Sequence, residues 1–153
     1  MTTSTRTIEV KVERTICAPP QEVFDAWLDP KIPGNPWNAA EKFILDPKVD
    51  GLLYWRLRGI SHYGRFTEME RPVRMRHTWV SPNTLGKEST VTVAFQKHGE
   101  DTLMTLVHSD LPDTDEAKGH ERGWNYFLDI LREQFGSGSR KDYRWEEAHP
   151  GGE

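Results

Sequence analysis

Cysteine is almost missing from this chain: its 153 residues include one, Cys17. A single thiol forms no internal disulfide and no multi-cysteine zinc site, so a disulfide-stapled fold is excluded. Long apolar runs are missing too. No stretch approaches the roughly 18 residues that a membrane helix needs, so no membrane insertion is expected. The opening MTTSTRTIEV lacks the apolar core of a secretory signal, and the expected location is cytoplasmic. An excess of positive charge is also lacking. Lys and Arg number 20 against 24 Asp and Glu, a net charge of −4. No electrostatic pull toward nucleic acid follows from that balance. There is no GxSxG elbow. There is no HExxH pair and no glycine-rich phosphate or dinucleotide loop.

What is present is aromatic. Only 35% of the residues are hydrophobic, yet they include six Trp, six Phe and four Tyr. The apolar surface is therefore concentrated in a few large, flat side chains. A chain of this length forms one domain and closes an ordinary core without staples. Residues 1–6 read as a disordered N-terminus and 7–136 as the folded domain. Residues 137–153, rich in Gly and Ser and including Trp145, read as a mobile tail.

Most of the folded part alternates with period two. Ile8, Val10 and Val12 alternate with charged residues, and the same phase reaches Arg14 and Ile16, a half-buried strand. Ala18-Pro19-Pro20 stops it. Val23, Phe24, Trp27 and Leu28 then recur at helical spacing, and Asp29-Pro30 ends that short helix. The Pro-rich stretch 30–38 carries Trp37 in a turn or a broken helical turn. Strands are expected at 42–46, 53–57, 63–70, 75–79, 91–95 and 103–108, joined by short links, an antiparallel meander. From Glu116 to Phe135 the apolar positions fall at helical spacing for about five turns. Asp113 or Asp115 is the expected cap, and Gly136 sits where a terminating glycine belongs. Gly119 and Gly123 inside this helix suggest a close approach by the sheet or by a bound molecule.

These segments have a family look. Val12-Glu13-Arg14-Thr15-Ile16-Cys17-Ala18-Pro19, Glu22-Val23-Phe24-Asp25-Ala26-Trp27, Asp29-Pro30 and Trp37 together resemble the opening of the SRPBCC or START-like superfamily. Gly64-Arg65-Phe66-Thr67-Glu68, Pro72-Val73-Arg74, Thr78-Trp79, Thr105-Leu106-Val107-His108-Ser109 and Gly123-Trp124 are similar to one branch. That branch is the AHA-type C-terminal domain of activators of heat-shock protein 90 ATPase. The resemblance spans residues 8–135. It implies an α+β helix-grip fold of the START-like, birch-pollen-allergen-like kind. A curved antiparallel sheet of about six or seven strands wraps a long C-terminal helix in such folds. Two short helices follow the first strand, and a cavity lies between sheet and helix. Members of the superfamily bind lipids, sterols and polyketides, and some are aromatase/cyclases. In the eukaryotic co-chaperone this domain is one of two.

The strand phase sorts the candidate site. Trp55, His77, Trp79, Phe95 and His108 face inward with Arg14, opposed by His120, Trp124, Phe127 and Leu128 on the helix. Trp37 is expected near the cavity mouth. An inward Arg or His needs a partner or water. Arg14, His77, His108 and His120 therefore either orient a ligand at the polar end of an aromatic cavity or are core groups satisfied internally. Three histidines on separate elements lack the spacing of a zinc site, so no metal, cofactor or catalytic residue is assigned. Cys17 falls in the outward phase with no base beside it. Arg65, Arg71, Arg74 and Arg76 cluster around Pro72, as a solvated face or a contact for an acidic partner. The residues favour a module that binds a small apolar or amphipathic molecule. An enzyme of the cyclase, dehydratase or hydrolase kind would instead use a cavity His or Arg. A chaperone ATPase-stimulating module and a homodimer paired through exposed strand edges are the protein-partner readings.

Overall fold

A computed structural model describes residues 6–136. The expected tail and all but the last residue of the expected disordered N-terminus lie outside that range. Strand β1 (Thr7–Ile16) is followed by helices α1 (Pro20–Trp27) and α2 (Pro36–Ala39). Strands β2 (Lys42–Leu45), β3 (Leu52–Leu57), β4 (Ile60–Glu70), β5 (Arg74–Trp79), β6 (Ser89–His98) and β7 (Asp101–Pro112) come next. Helices α3 (Asp115–Lys118) and α4 (His120–Gln134) close the order. The seven strands form one antiparallel sheet in the order β1-β7-β6-β5-β4-β3-β2. This is the helix-grip architecture: β2 to β7 meander, and β1 returns to pair with β7 beneath α4.

The alternation works as expected because one sheet face is buried. Val10, Val12, Leu53, Trp55, Met75, Trp79, Val91, Val93, Phe95, Met104 and Leu106 are all buried. Trp124, Phe127, Leu128 and Leu131 of α4 close over them. Register shifts between Ile8 and Val10 and between Phe66 and Glu68 interrupt the ladders. Such bulges bend a strand and increase its twist, which helps a sheet curl round a helix. On the far side, Asn35 is fully buried and donates through Nδ2 to the carbonyls of Ala26, Asp29 and Ile32. Its Oδ1 accepts from Asn38 N at 2.9 Å and caps α2. Beside it Gly34 has φ +108°, and a Cβ there would overlap the backbone of Leu131 in α4. The α1–α2 link can thus lie against α4 only through a residue with no side chain.

Four sequence expectations change. The C-terminal helix is broken at Gly119 rather than continuous from Glu116. His120 Nδ1 lies 2.8 Å from the Ala117 carbonyl, the acceptor that a continuous helix would offer to the next backbone N–H. The start is capped by Thr114, whose Oγ1 accepts from Ala117 N at 3.1 Å, and not by Asp113 or Asp115. Strand β4 begins at Ile60, not Tyr63, because Arg58 and Gly59 both have positive φ, 54° and 79°. That is the signature of a two-residue type I′ hairpin turn. Cys17 is buried, not outward, because β1 ends at Ile16 and the phase stops there. Burial pushes its thiol pKa up, the opposite of what activates a nucleophile.

The basic cluster is also internally occupied. Arg74 bonds Glu68 at 2.8 Å, Arg76 lies 3.8 Å from the same carboxylate, and Arg71 pairs with Asp25 at 2.7 Å. These pairs tie neighbouring elements together on the surface, and the pairing argues against a free anion site there.

Candidate functional site

A pocket of about 240 Å³ opens between the β3–β4 hairpin and the joint of α3 with α4. Its walls are Trp55, His62, Trp79, Trp124 and Phe127. Leu57, Arg58 and Ile60 from the hairpin, Asn83 from the 3-10 turn after β5, and Glu116, Gly119, His120 and Gly123 complete the lining. The hairpin turn at Arg58-Gly59 makes this wall. It puts His62 opposite Trp55 in register, so their rings stack with centroids 4.3 Å apart and planes within 8°. Trp79 meets Trp55 at 5.6 Å and Trp124 at 5.2 Å, and Phe127 meets Trp55 edge-on at 6.1 Å. Trp55 Nε1 is buried and has no hydrogen-bond partner among the described residues. An indole nitrogen can only donate, so this N–H is an unfilled donor buried behind the pocket surface.

Five of the sequence candidates meet here: Trp55, Trp79, His120, Trp124 and Phe127. The other six do not line the pocket. His108 and His77 are buried behind the wall, and Leu128 is core. Phe95 packs edge-on against Phe24 at 5.1 Å. Trp37, expected at the mouth, is buried with its Nε1 unpartnered. Arg14 straps β1 to α4: its Nε donates to Asp129 at 2.7 Å and its Nη2 to Asn125 Oδ1 at 2.7 Å. His62 is the wall residue that sequence reasoning missed. Recognising Arg58-Gly59 as a two-residue turn starts β4 three residues earlier, at Ile60, and puts His62 in the inward phase with Phe66.

The histidines have fixed tautomers. Trp124 Nε1–H donates to His108 Nδ1 at 3.0 Å, so the His108 proton sits on Nε2. That N–H donates to Ser89 Oγ at 2.8 Å, and Ser89 donates onward to the Trp79 carbonyl at 2.7 Å. Trp79 Nε1–H in turn donates to His120 Nε2 at 3.2 Å, which places the His120 proton on Nδ1, facing Ala117 O. Two indoles, two imidazoles and one hydroxyl thus connect β5, β6 and β7 to α4. His62 bonds the Trp55 carbonyl and His77 the Thr78 carbonyl through Nδ1. Burial lowers all four imidazole pKa values. His62 and His77 fall to about 4 and His108 to about 2, the latter helped by neighbouring histidines. His120 is lowered by the same desolvation, partly offset by its bond to Ala117. At neutral pH the cluster is uncharged. Among the described residues no group of His, Cys, Asp or Glu is arranged to hold a metal ion.

An antiparallel sheet gripping a C-terminal helix is the architecture of the SRPBCC class of helix-grip domains. Within it, residues 17–136 match the family model described as Activator of Hsp90 ATPase homolog 1-like protein, and the chain belongs to that family. Solved structures of similar fold include an HSP90 activator from Plasmodium falciparum, with TM-score 0.70 and 23% identity over 84% of this chain and 96% of that one. The Aha1 dimer from Colwellia psychrerythraea has TM-score 0.67 and 15% identity, covering 86% and 99%. CalU16 from Micromonospora echinospora has TM-score 0.63 and 22% identity, covering 84% of each chain. At these identities the likeness is one of fold. No curated protein sequence matches this chain. Among the described residues no helix is long and apolar enough to cross a membrane.

Proposed function

We propose that this domain binds a small apolar or amphipathic molecule in the pocket between the β3–β4 hairpin and the α3–α4 joint. One observation carries the reading: about 240 Å³ of space stays open among three Trp and one Phe side chain. Aromatic side chains left with open space between them forgo packing contacts that a closed core would make. A cavity of about 150 Å³ already admits benzene, so the volume suffices for a ring-containing guest. Affinity comes from burying the guest against the indoles, and orientation from polar groups at the rim, Arg58, Asn83 and Glu116.

Binding is favoured over acid–base catalysis because the candidate catalytic groups are engaged elsewhere. Both nitrogens of His120 and of His108 are in hydrogen bonds, and Arg14 is held by Asp129 and Asn125. The test is titration with 1-anilinonaphthalene-8-sulfonate, followed by dye emission. The native protein gives a saturable one-to-one complex, and Ile60→Trp, which fills the mouth, weakens it at least tenfold. No saturable binding, or equal binding by the variant, overturns the reading.

A second reading has its own observation. Strand β2 is a sheet edge, and Phe43 and Ile44 on it are exposed together with Leu52 and Tyr63 on the adjoining strands. An open apolar edge is a template for pairing with another chain. On this reading a second copy docks along β2, and sedimentation velocity gives a dimer that Ile44→Lys converts to monomer. A native protein that stays monomeric at 100 µM, a range that corresponds to about 5.5 kcal/mol of pairing free energy, removes the second reading.

A further inference from the structure

Of the residues that line the pocket, Arg58 and Glu116 are the two with a fixed charge at neutral pH, and both are exposed at its rim. Desolvation keeps His62 and His120 neutral. Neither Arg58 nor Glu116 has a side-chain ion pair among the described residues, whereas Asp113 is held by Arg6 and Lys118. Behind the rim the wall is a circuit of four rings. Trp55 lies 5.6 Å from Trp79, Trp79 5.2 Å from Trp124, Trp124 6.1 Å from Phe127, and Phe127 6.1 Å from Trp55. Consecutive planes are tilted by 46° to 76°, so no consecutive pair in the circuit is stacked face to face. Gly119 and Gly123 line the α4 side without a side chain, and a Cβ at Gly123 would meet nothing within 4 Å, so that side of the pocket stays open.

We infer that the pocket takes a weakly hydrated organic cation, a quaternary ammonium head of the choline kind, held against the four rings with Glu116 as its counter-charge. The inference rests on the ligand-binding reading and deepens it. An aromatic ring is negative on its faces and attracts a cation placed over it within about 6 Å of the centroid, indole most strongly. Neighbouring centroids here are 5.2 to 6.1 Å apart, so a guest in contact with two rings stands within about that range of both. The attraction grows where water is kept out, and all four ring residues are buried. A primary ammonium fits less well. It carries three N–H donors that lose water on entry, and both nitrogens of His120 are already engaged. A quaternary ammonium has no donor to satisfy. Size agrees, because a cavity of about 150 Å³ admits benzene, a trimethylammonium head is comparable in size, and the pocket holds about 240 Å³. Arg58 repels the cation from the rim, and an anionic group, the sulfonate of the anilinonaphthalene dye included, is turned outward toward it.

The experiment titrates the whole chain with choline, 3,3-dimethylbutan-1-ol and ethanolamine, followed by the indole resonances and by displacement of the dye. The butanol has choline's shape, with carbon in place of nitrogen, and carries no charge. Choline binds at least tenfold tighter than either of the others, and Ile60→Trp weakens it at least tenfold. The two rim charges act in opposite directions. Glu116→Gln weakens choline about threefold and Arg58→Ala tightens it about threefold, while the butanol is moved by neither. Thermal midpoints show that the variants fold. If the butanol binds as tightly as choline, if choline fails to displace a dye that binds, or if the rim variants leave choline unmoved or shift it the same way, the inference is overturned and ligand binding stands. If neither the dye nor choline binds, both fall together.

Discussion

Acidification from pH 7 to pH 5 destabilises this protein by several kcal/mol, before the ion-paired carboxylates Asp25, Glu68 and Asp129 titrate. The cause is the buried imidazole cluster. His62 and His77 have folded pKa values of about 4 and His108 of about 2, set first by desolvation. The same side chains in an unfolded chain titrate near 6.5. Below that value the unfolded chain binds protons that the folded one refuses, so stability falls as pH falls. Each such histidine removes about 1.4 kcal/mol per pH unit until its folded pKa is reached. Three together remove roughly 4 kcal/mol per unit between pH 6 and pH 4, against a total stability of about 5–15 kcal/mol for an ordinary domain. His120, lowered in the same direction, adds to the slope. Asp25, Glu68 and Asp129 are held below their ordinary values by Arg71, Arg74 and Arg14. Their contribution is therefore present above the usual carboxylate range and is lost only at lower pH. Thermal midpoints by circular dichroism from pH 7.5 to 4.5 measure the effect, and His77→Gln flattens the curve by one histidine's share. A midpoint unchanged down to pH 4.5 would show that the cluster titrates normally when folded.

How far these features could be read in the amino-acid order depends on which force places them. Strands with one buried face announce themselves by alternation, so Val91-Val93-Phe95 and Met104-Leu106-His108 were legible residue by residue. The inward phase also named Trp55 and Trp79, and helical spacing named Trp124 and Phe127. Phase tells which face a side chain takes, though, not what meets it there. His108 and Leu128 face inward where sheet and helix are in contact. Trp55 and Phe127 face inward where the break at Gly119 leaves room. That break depends on a hydrogen bond from His120 to Ala117, and its tautomer depends on Trp79, far away in sequence. Arg14 illustrates the same limit from the other side. Its phase was read correctly, but Asp129 and Asn125 intercept it before it can reach a cavity. Family resemblance supplied the architecture that joins these pieces, and the tertiary contacts decide which of them form a site.

Removing the Trp79 side chain gives the largest expected effect of any single substitution in the pocket wall. Trp79 is 1% exposed and stands at the centre of the ring cluster, touching Trp55, His62, His77, His108 and Trp124. Truncating a buried Trp to Ala costs about 3–5 kcal/mol through lost burial and the cavity left behind. Here it also strips the donor from His120 Nε2, and an acceptor left unpaired in the interior costs about 1–3 kcal/mol more. Trp79→Ala therefore costs about 4–8 kcal/mol, comparable with the lower part of an ordinary domain's stability of about 5–15 kcal/mol. Trp79→Phe separates the two causes. It keeps a ring in place and loses the indole N–H, so its cost lies nearer the hydrogen-bond figure. The imidazole reports the difference independently of stability. With Trp79 donating, His120 Nε2 cannot take a proton without breaking that bond. In Trp79→Phe the nitrogen is free, and the His120 pKa rises toward its ordinary value. Urea unfolding of both variants and nitrogen-15 shifts of His120 across the pH range measure the two effects. If Trp79→Phe unfolds at the native midpoint and His120 titrates unchanged, the indole–imidazole bond does not join the sheet to α4, and the wall is held by packing alone.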